Sequence, residues 1–187
     1  MRIAIIGIDG SGKTTLARSV ARALRARGER AKYFENAGGR PIMNGIAQVM
    51  RRPDGVALFG RAYEPIEMRF RLLAMRRTAS WARPGRIAVC DRWTFCQHAV
   101  MAARGSITDG LAQLYAAIPA PDLVLYLDVD PALAQQRVEL RGKDHETLEH
   151  LAAYDAAYRA LPEFGSFTHI DASGTPEEVL RQALTFV

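Results

Sequence analysis

The chain has 187 residues, 49% of them apolar, and a formal net charge of +5. That length and composition suit one α/β domain with a sizeable core and exclude a disordered or repeat-built chain. No apolar stretch approaches the roughly 20 residues a membrane span needs, and the first apolar run stops at Gly7, unlike a secretory leader. Cys90 and Cys96 read as ordinary buried thiols, so the protein is expected in the cytoplasm. The positive charge would suit nucleic acid or small polyphosphates. Its arginines are spread over many helices with no aromatic-interleaved platform, which makes nucleic acid the weaker partner.

Ile3 to Ile6 is a short apolar run and predicts a strand buried on both faces. Gly7-Ile8-Asp9-Gly10-Ser11-Gly12-Lys13-Thr14 follows at once and matches G-x-x-x-x-G-K-[ST] at every fixed position. A helical pattern comes next, with Leu16, Val20 and Leu24 on one face. The glycines at 7, 10 and 12 let the backbone turn tightly and aim successive N–H groups at a phosphate. Ser11, Gly12, Lys13, Thr14 and Thr15 thus form a phosphate-binding run at the positive end of a helix dipole. Lys13 suits the β- and γ-phosphates of ATP, and the Thr14 hydroxyl suits Mg²⁺.

Gly28 ends the first helix, and residues 31–35 (AKYFE) predict a second strand. After a loop at 36–40, Pro41 suits the first turn of a helix running to about Arg52, and 52–55 reads as a turn. Glu64-Pro65 opens a long helix to about Trp81, stopped by Pro84-Gly85. Of Arg69, Arg71, Arg76 and Arg77 on it, most suit the surface and one is directed inward to an acceptor substrate.

Residues 86–91 (RIAVCD) predict a third strand that ends in an acid, followed by helices near 94–103 and 110–118. Asp91 then sits where open α/β sheets place ligands and suits Mg²⁺, and Arg92 can fork onto a phosphate. Residues 122–129 predict a fourth strand, and Asp130-Pro131 caps a helix that Gly142 closes. Arg137 and Arg141 lie one turn apart on that helix. They make either a solvated face or a cationic lid that closes over a triphosphate. A helix at 146–161, a fifth strand at 167–171 and a last helix at 176–184 complete the chain. Alternating strands and helices predict a parallel sheet covered on both faces, in a single domain over 1–187.

In order, these motifs resemble the thymidylate kinase family. The phosphate loop with an acid at its third position is similar to that family's. Glu35-Asn36-Ala37-Gly38-Gly39-Arg40-Pro41 resembles its Arg-Glu-Pro-Gly-Gly-Thr loop, and Asp91-Arg92-Trp93 its Asp-Arg-Tyr/His motif. Residues 137–149 resemble its arginine-bearing lid, and 171–179 its segment near the adenine of ATP.

The resemblance implies a three-layer phosphate-loop NTPase fold whose five-stranded parallel sheet runs 2-3-1-4-5. It implies transfer from MgATP to a nucleoside monophosphate, dTMP or a related pyrimidine nucleotide, by a homodimer. Asp9 would meet the acceptor sugar's 3′-hydroxyl and Arg92 its phosphate, with Glu35, Gly38, Gly39, Arg69 and Cys96 around the acceptor. Because Gly10 stands where some members carry an arginine, the transition-state cation would come from Arg137, Arg141 or Lys143.

The chain departs from the family at Glu35-Asn36-Ala37, which reverses a charge and loses a proline. It departs again at Cys96 and Ala99-Val100-Met101, where a hydroxyl and an amide are missing from the base side. The base and sugar therefore stay open. So do two rivals: a nucleoside kinase with Glu35 as general base, and an ATP-binding module without turnover.

Overall fold

The computed structural model describes residues 1–105, 109–142 and 146–187. Its centre is a parallel sheet of β1 (Arg2–Ile6), β2 (Ala31–Glu35), β3 (Ile87–Asp91), β4 (Leu123–Asp128) and β5 (Thr168–Asp171), in the order β2-β3-β1-β4-β5. This is the sheet order that the family resemblance implied. Helix α1 (Lys13–Ala26) packs on β2 and β3 and against α9 (Pro176–Ala183), while α5 (Thr94–Arg104) packs on α8 (Leu148–Arg159). The remaining helices are α2 (Arg40–Val49), α3 (Gly55–Phe59), α4 (Tyr63–Trp81), α6 (Asp109–Ala116) and α7 (Pro131–Arg141).

Burial explains why β1 lies in the middle. Ile3, Ala4, Ile5 and Ile6 are all fully buried, as a strand covered on both faces must be. Leu16, Val20 and Leu24 of α1 face the same core, and each such side chain contributes roughly 1.5–3 kcal/mol. Burial pushes the Cys90 thiol in β3 up to about 12, which leaves it an inert core group.

Register then sets the site. Ile5 pairs with Asp91 and Asp91 with Glu35, so β1, β3 and the edge strand β2 end side by side. The loops that leave them, to Gly7, Asn36 and Arg92, emerge along one edge of the sheet.

Helix boundaries differ from expectation where capping decides them. The stretch read as a turn at 52–55 leads into α3 and a 3₁₀ turn (Gly60–Ala62), because Asp54 accepts from the Ala57 N–H at 2.8 Å. Helix α2 ends at Val49, short of Arg52, where Arg51 turns to φ +56°. Thr147 starts α8 by accepting from the His150 N–H, two residues later than the pattern suggested. No helix among the described residues is long and apolar enough to cross a membrane.

Candidate active site

The loop after β1 is closed by neighbours that leave no room for side chains. A Cβ on Gly10 would lie 2.2 Å from the Ala134 carbonyl oxygen of α7, and Gly10 has φ +84°. A larger side chain at this position cannot enter without moving α7. Gly12 caps α1 in the left-handed region, at φ +93°. Gly7 meets the backbone of β4 in the same way, 2.8 Å from the Leu127 oxygen, so its part is in shaping the loop.

Lys13 opens α1 and is buried; its Nζ donates to the Ile8 carbonyl at 2.5 Å and to Asp9 Oδ1 at 3.2 Å. Burial first, and then the charge of Arg92, hold the Lys13 pKa below the ordinary lysine value, against the pull of Asp9. Arg92 Nη2 donates to the same Asp9 oxygen at 2.5 Å. Arg92 holds Asp9 well below the usual carboxylate range, although burial works the other way. Burial likewise opposes the Arg92 charge, and Asp9 overcomes it, so the Arg92 pKa is raised. A depressed carboxylate stabilises fully above its unfolded pKa and loses that only as pH falls through the folded one. The Asp9–Arg92 pair therefore adds no pH dependence to stability between about pH 5 and 9.

Thr14 Oγ1 donates to Asp91 Oδ2 at 2.5 Å, and the Tyr33 hydroxyl donates to the same oxygen at 3.2 Å. Asp91 Oδ1 and Ser11 Oγ are buried without a protein partner. Buried polar atoms of this kind are rare, and here they mark where a ligand completes the set.

Two clefts open from this point. The first, of about 320 Å³, runs from the phosphate loop past Thr15, Arg137 and Arg141 to Ala172, Gly174 and Val179. Arg137 Nη1 donates to the Ala172 carbonyl at 2.7 Å and Nη2 to the Ser173 carbonyl at 2.9 Å. Its fork thus fastens α7 to the loop after β5, while Arg141 stands at the cleft wall. Lys143 lies outside the described residues.

The second cleft, of about 530 Å³, lies beneath α4 and α5 and is lined by Glu35, Asn36, Gly38, Glu67, Arg71, Cys96 and Gln97, among others. Arg69 is exposed and does not line it. Arg71, two positions further along α4, does, because the residues facing the cleft from α4 are 67, 68 and 71. Glu67 is buried and binds Arg71 Nη2 at 2.6 Å and Arg40 Nε at 3.3 Å. A Cβ on Gly38 would come within 2.3 Å of the Glu67 side chain, whereas Gly39 caps α2 against the Phe70 ring. Glu35 is exposed at the mouth of this cleft, and Cys96 is buried in its wall.

Sequence reasoning did not single out Asn36, Glu67 or Gln97, and it left Arg71 as one of four arginines on α4. The acid–base spacing of Glu67 and Arg71, four apart on a helix, was a readable signal. Asn36 carries no local pattern.

Asp9, Thr14 and Arg92 line both clefts. A phosphate chain on the loop in one cleft and an anionic acceptor in the other would meet at those three side chains. A parallel sheet with a phosphate loop after its central strand and a second, adjoining cleft is the architecture of a P-loop nucleotide kinase.

Sequence comparison narrows this class. The profile of the family described as thymidylate kinase matches residues 5–183. A Xylella fastidiosa (strain 9a5c) protein named thymidylate kinase is 37% identical over 196 residues, which span 100% of this chain and 90% of the relative. A thymidylate kinase of Xanthomonas campestris pv. campestris (strain B100) is 34% identical across 97% of this chain and 80% of its own length. A probable thymidylate kinase of Archaeoglobus fulgidus is 33% identical across 96% and 90%. The chain belongs to the thymidylate kinase family, and it is a nucleoside monophosphate kinase.

Proposed function

We propose that the protein transfers the γ-phosphoryl group of ATP to dTMP or a closely related pyrimidine deoxynucleotide, giving the diphosphate and ADP. The observation that carries this is the sharing of Asp9, Thr14 and Arg92 by the two clefts. A phosphate oxygen of the acceptor attacks the γ-phosphorus in line, and the bond to the ADP oxygen breaks. The acceptor is already ionised near neutral pH, so the step needs positioning and charge neutralisation rather than a strong base.

In this reading the N–H groups from Ser11 to Thr15 and the α1 N-terminus hold the ATP phosphates, with Lys13 across the β- and γ-groups. Arg92 takes the acceptor phosphate, Asp9 orients Arg92 and faces the acceptor sugar, and Arg141 supplies charge to the transition state. Arg137 holds the loop at 172–174 against α7, where the nucleoside end of ATP would lie. Arg137 and Arg141 of α7 belong to a lid on the single domain at 1–187, whose expected continuation through 143–145 lies outside the described residues.

Thr14 and Asp91 fit Mg²⁺. Both are hard oxygen donors, and Asp91 Oδ1 is buried without a partner. When bound there, Mg²⁺ would neutralise charge on the β- and γ-phosphates.

Two free, buried cysteines support a cytoplasmic setting. An exposed apolar stripe on α2, formed by Ile42, Ile46, Val49 and Met50, supports pairing of two copies. The test is a panel of nucleosides and monophosphates incubated with MgATP, with ADP release read out. Turnover is expected with dTMP above the other monophosphates and none with nucleosides. Turnover of thymidine with dTMP inert would overturn the proposal.

A further inference from the structure

Arg92 is one of two residues other than glycine, among those described, with a positive φ, at +74°. Side-chain-bearing residues avoid that region, so neighbouring groups must hold the peptide there. On one side the Arg92 N–H donates to the Ile5 carbonyl at 3.0 Å. On the other, the Arg92 carbonyl accepts from Asn36 Nδ2 at 2.6 Å.

Asn36 is fully buried, and every polar group it owns is engaged. Its Oδ1 accepts from the Thr78 hydroxyl at 3.2 Å, which shares its one proton with the Ala74 carbonyl at 2.9 Å; its N–H donates to the Asp91 carbonyl at 3.2 Å, and its carbonyl accepts from Arg71 Nη1 at 3.2 Å. The side chain must donate to one element and accept from another at the same moment. A carboxamide does both; a carboxylate of the same shape cannot donate. The orientation of the amide follows from its partners, because the Arg92 carbonyl can only accept.

We propose that Asn36 is a positioning residue for phosphoryl transfer: its amide fixes the Arg92 peptide so that the guanidinium faces Asp9 and the junction of the two clefts. This rests on the reading of Arg92 as the acceptor-phosphate ligand. Asn36 touches the Arg92 backbone and acts on substrate through Arg92.

A double-mutant cycle tests it, because residues that act through one another are not additive. Asn36→Asp keeps the volume and removes the donor. In the wild-type background it should weaken dTMP binding, measured by calorimetry without ATP, and lower kcat by about 10- to 100-fold, as small misplacements of reacting groups do. The KM for ATP should stay within about two-fold, since the phosphate loop is untouched. In an Arg92→Ala background the same change should cost less than about three-fold. Thr78→Val, which removes the hydroxyl shared between the amide oxygen and the Ala74 carbonyl, should show the same pattern more weakly and covers the case in which Asn36→Asp does not fold.

Equal losses in both backgrounds, or a wild-type-like Asn36→Asp or Thr78→Val, overturn the inference. Wild-type protein that neither binds nor phosphorylates dTMP overturns the transfer reading, and the inference falls with it.

Discussion

The two clefts share three side chains but are built in opposite ways. The donor side comes from neighbours in sequence, the loop after β1 and the first turn of α1, with α7 and the loop after β5 fastened over them by Arg137. The acceptor side comes from residues far apart in sequence, on β2, α2, α4 and α5 among other elements. Its hydrogen bonds join Asn36 to Arg92, Asn36 to Thr78 and Arg71 to Asn36 across 56, 42 and 35 positions. Backbone N–H groups and close approach allow few substitutions, so the donor side is fixed in residue type. Paired side chains can be exchanged for other pairs, so the acceptor side can drift while its shape is kept.

Lys13→Ala should break the donor side most completely, with kcat falling on the order of 10³-fold or more, since its charge acts on the transferring group. Circular dichroism should show an intact fold. Turnover within a few-fold of wild type would remove the phosphate loop from the chemistry.

The two arginines of α7 should separate next. Arg141→Ala should lower kcat by roughly 10²–10³-fold with little change in the KM for ATP, as a group acting on transition-state charge does. Arg137→Ala should mainly raise the KM for ATP, about ten-fold, because it frees the loop at 172–174. Steady-state kinetics with ATP varied distinguishes them. Identical profiles would put both residues in one role.

On the acceptor side, Glu67→Gln should raise the dTMP KM about ten-fold, since the half-buried Arg71 loses its counter-charge. Glu35→Gln, at the exposed mouth, should change turnover less than about three-fold, because a phosphate acceptor gives it no proton to take. A collapse of activity in Glu35→Gln would instead mark a hydroxyl acceptor.

The smallest effect should be on stability alone. Thr175 and Glu178 form a reciprocal cap on α9, and Thr175→Ala should lower stability by about 1 kcal/mol and leave kinetics unchanged. A thermal melt checks this.

How far the sequence could be read follows the same division. Strands, phosphate loop and sheet edge were legible because apolar runs, glycines and capping pairs act locally, as at Ile3 to Ile6 and Asp130-Pro131. Arg71, and not Arg69, lines the second cleft from α4. Several arginines crowd that helix, and only the packed structure says that position 71 faces the cleft. Asn36 looked like a loop residue that departed from a familiar motif, and its four hydrogen bonds exist only once β2, β3 and α4 are assembled. The short helix at 55–59 was hidden because one aspartate cap, at Asp54, was read as part of a turn.

The central claim is that the two clefts pass a phosphoryl group to a phosphate. The most direct measurement supplies ATP labelled in its γ-phosphate together with dTMP and thymidine as competing acceptors, and locates the label in the separated products. The expected result is label in the β-phosphate of dTDP and none in newly formed dTMP. Label in dTMP, or only in inorganic phosphate, would contradict it.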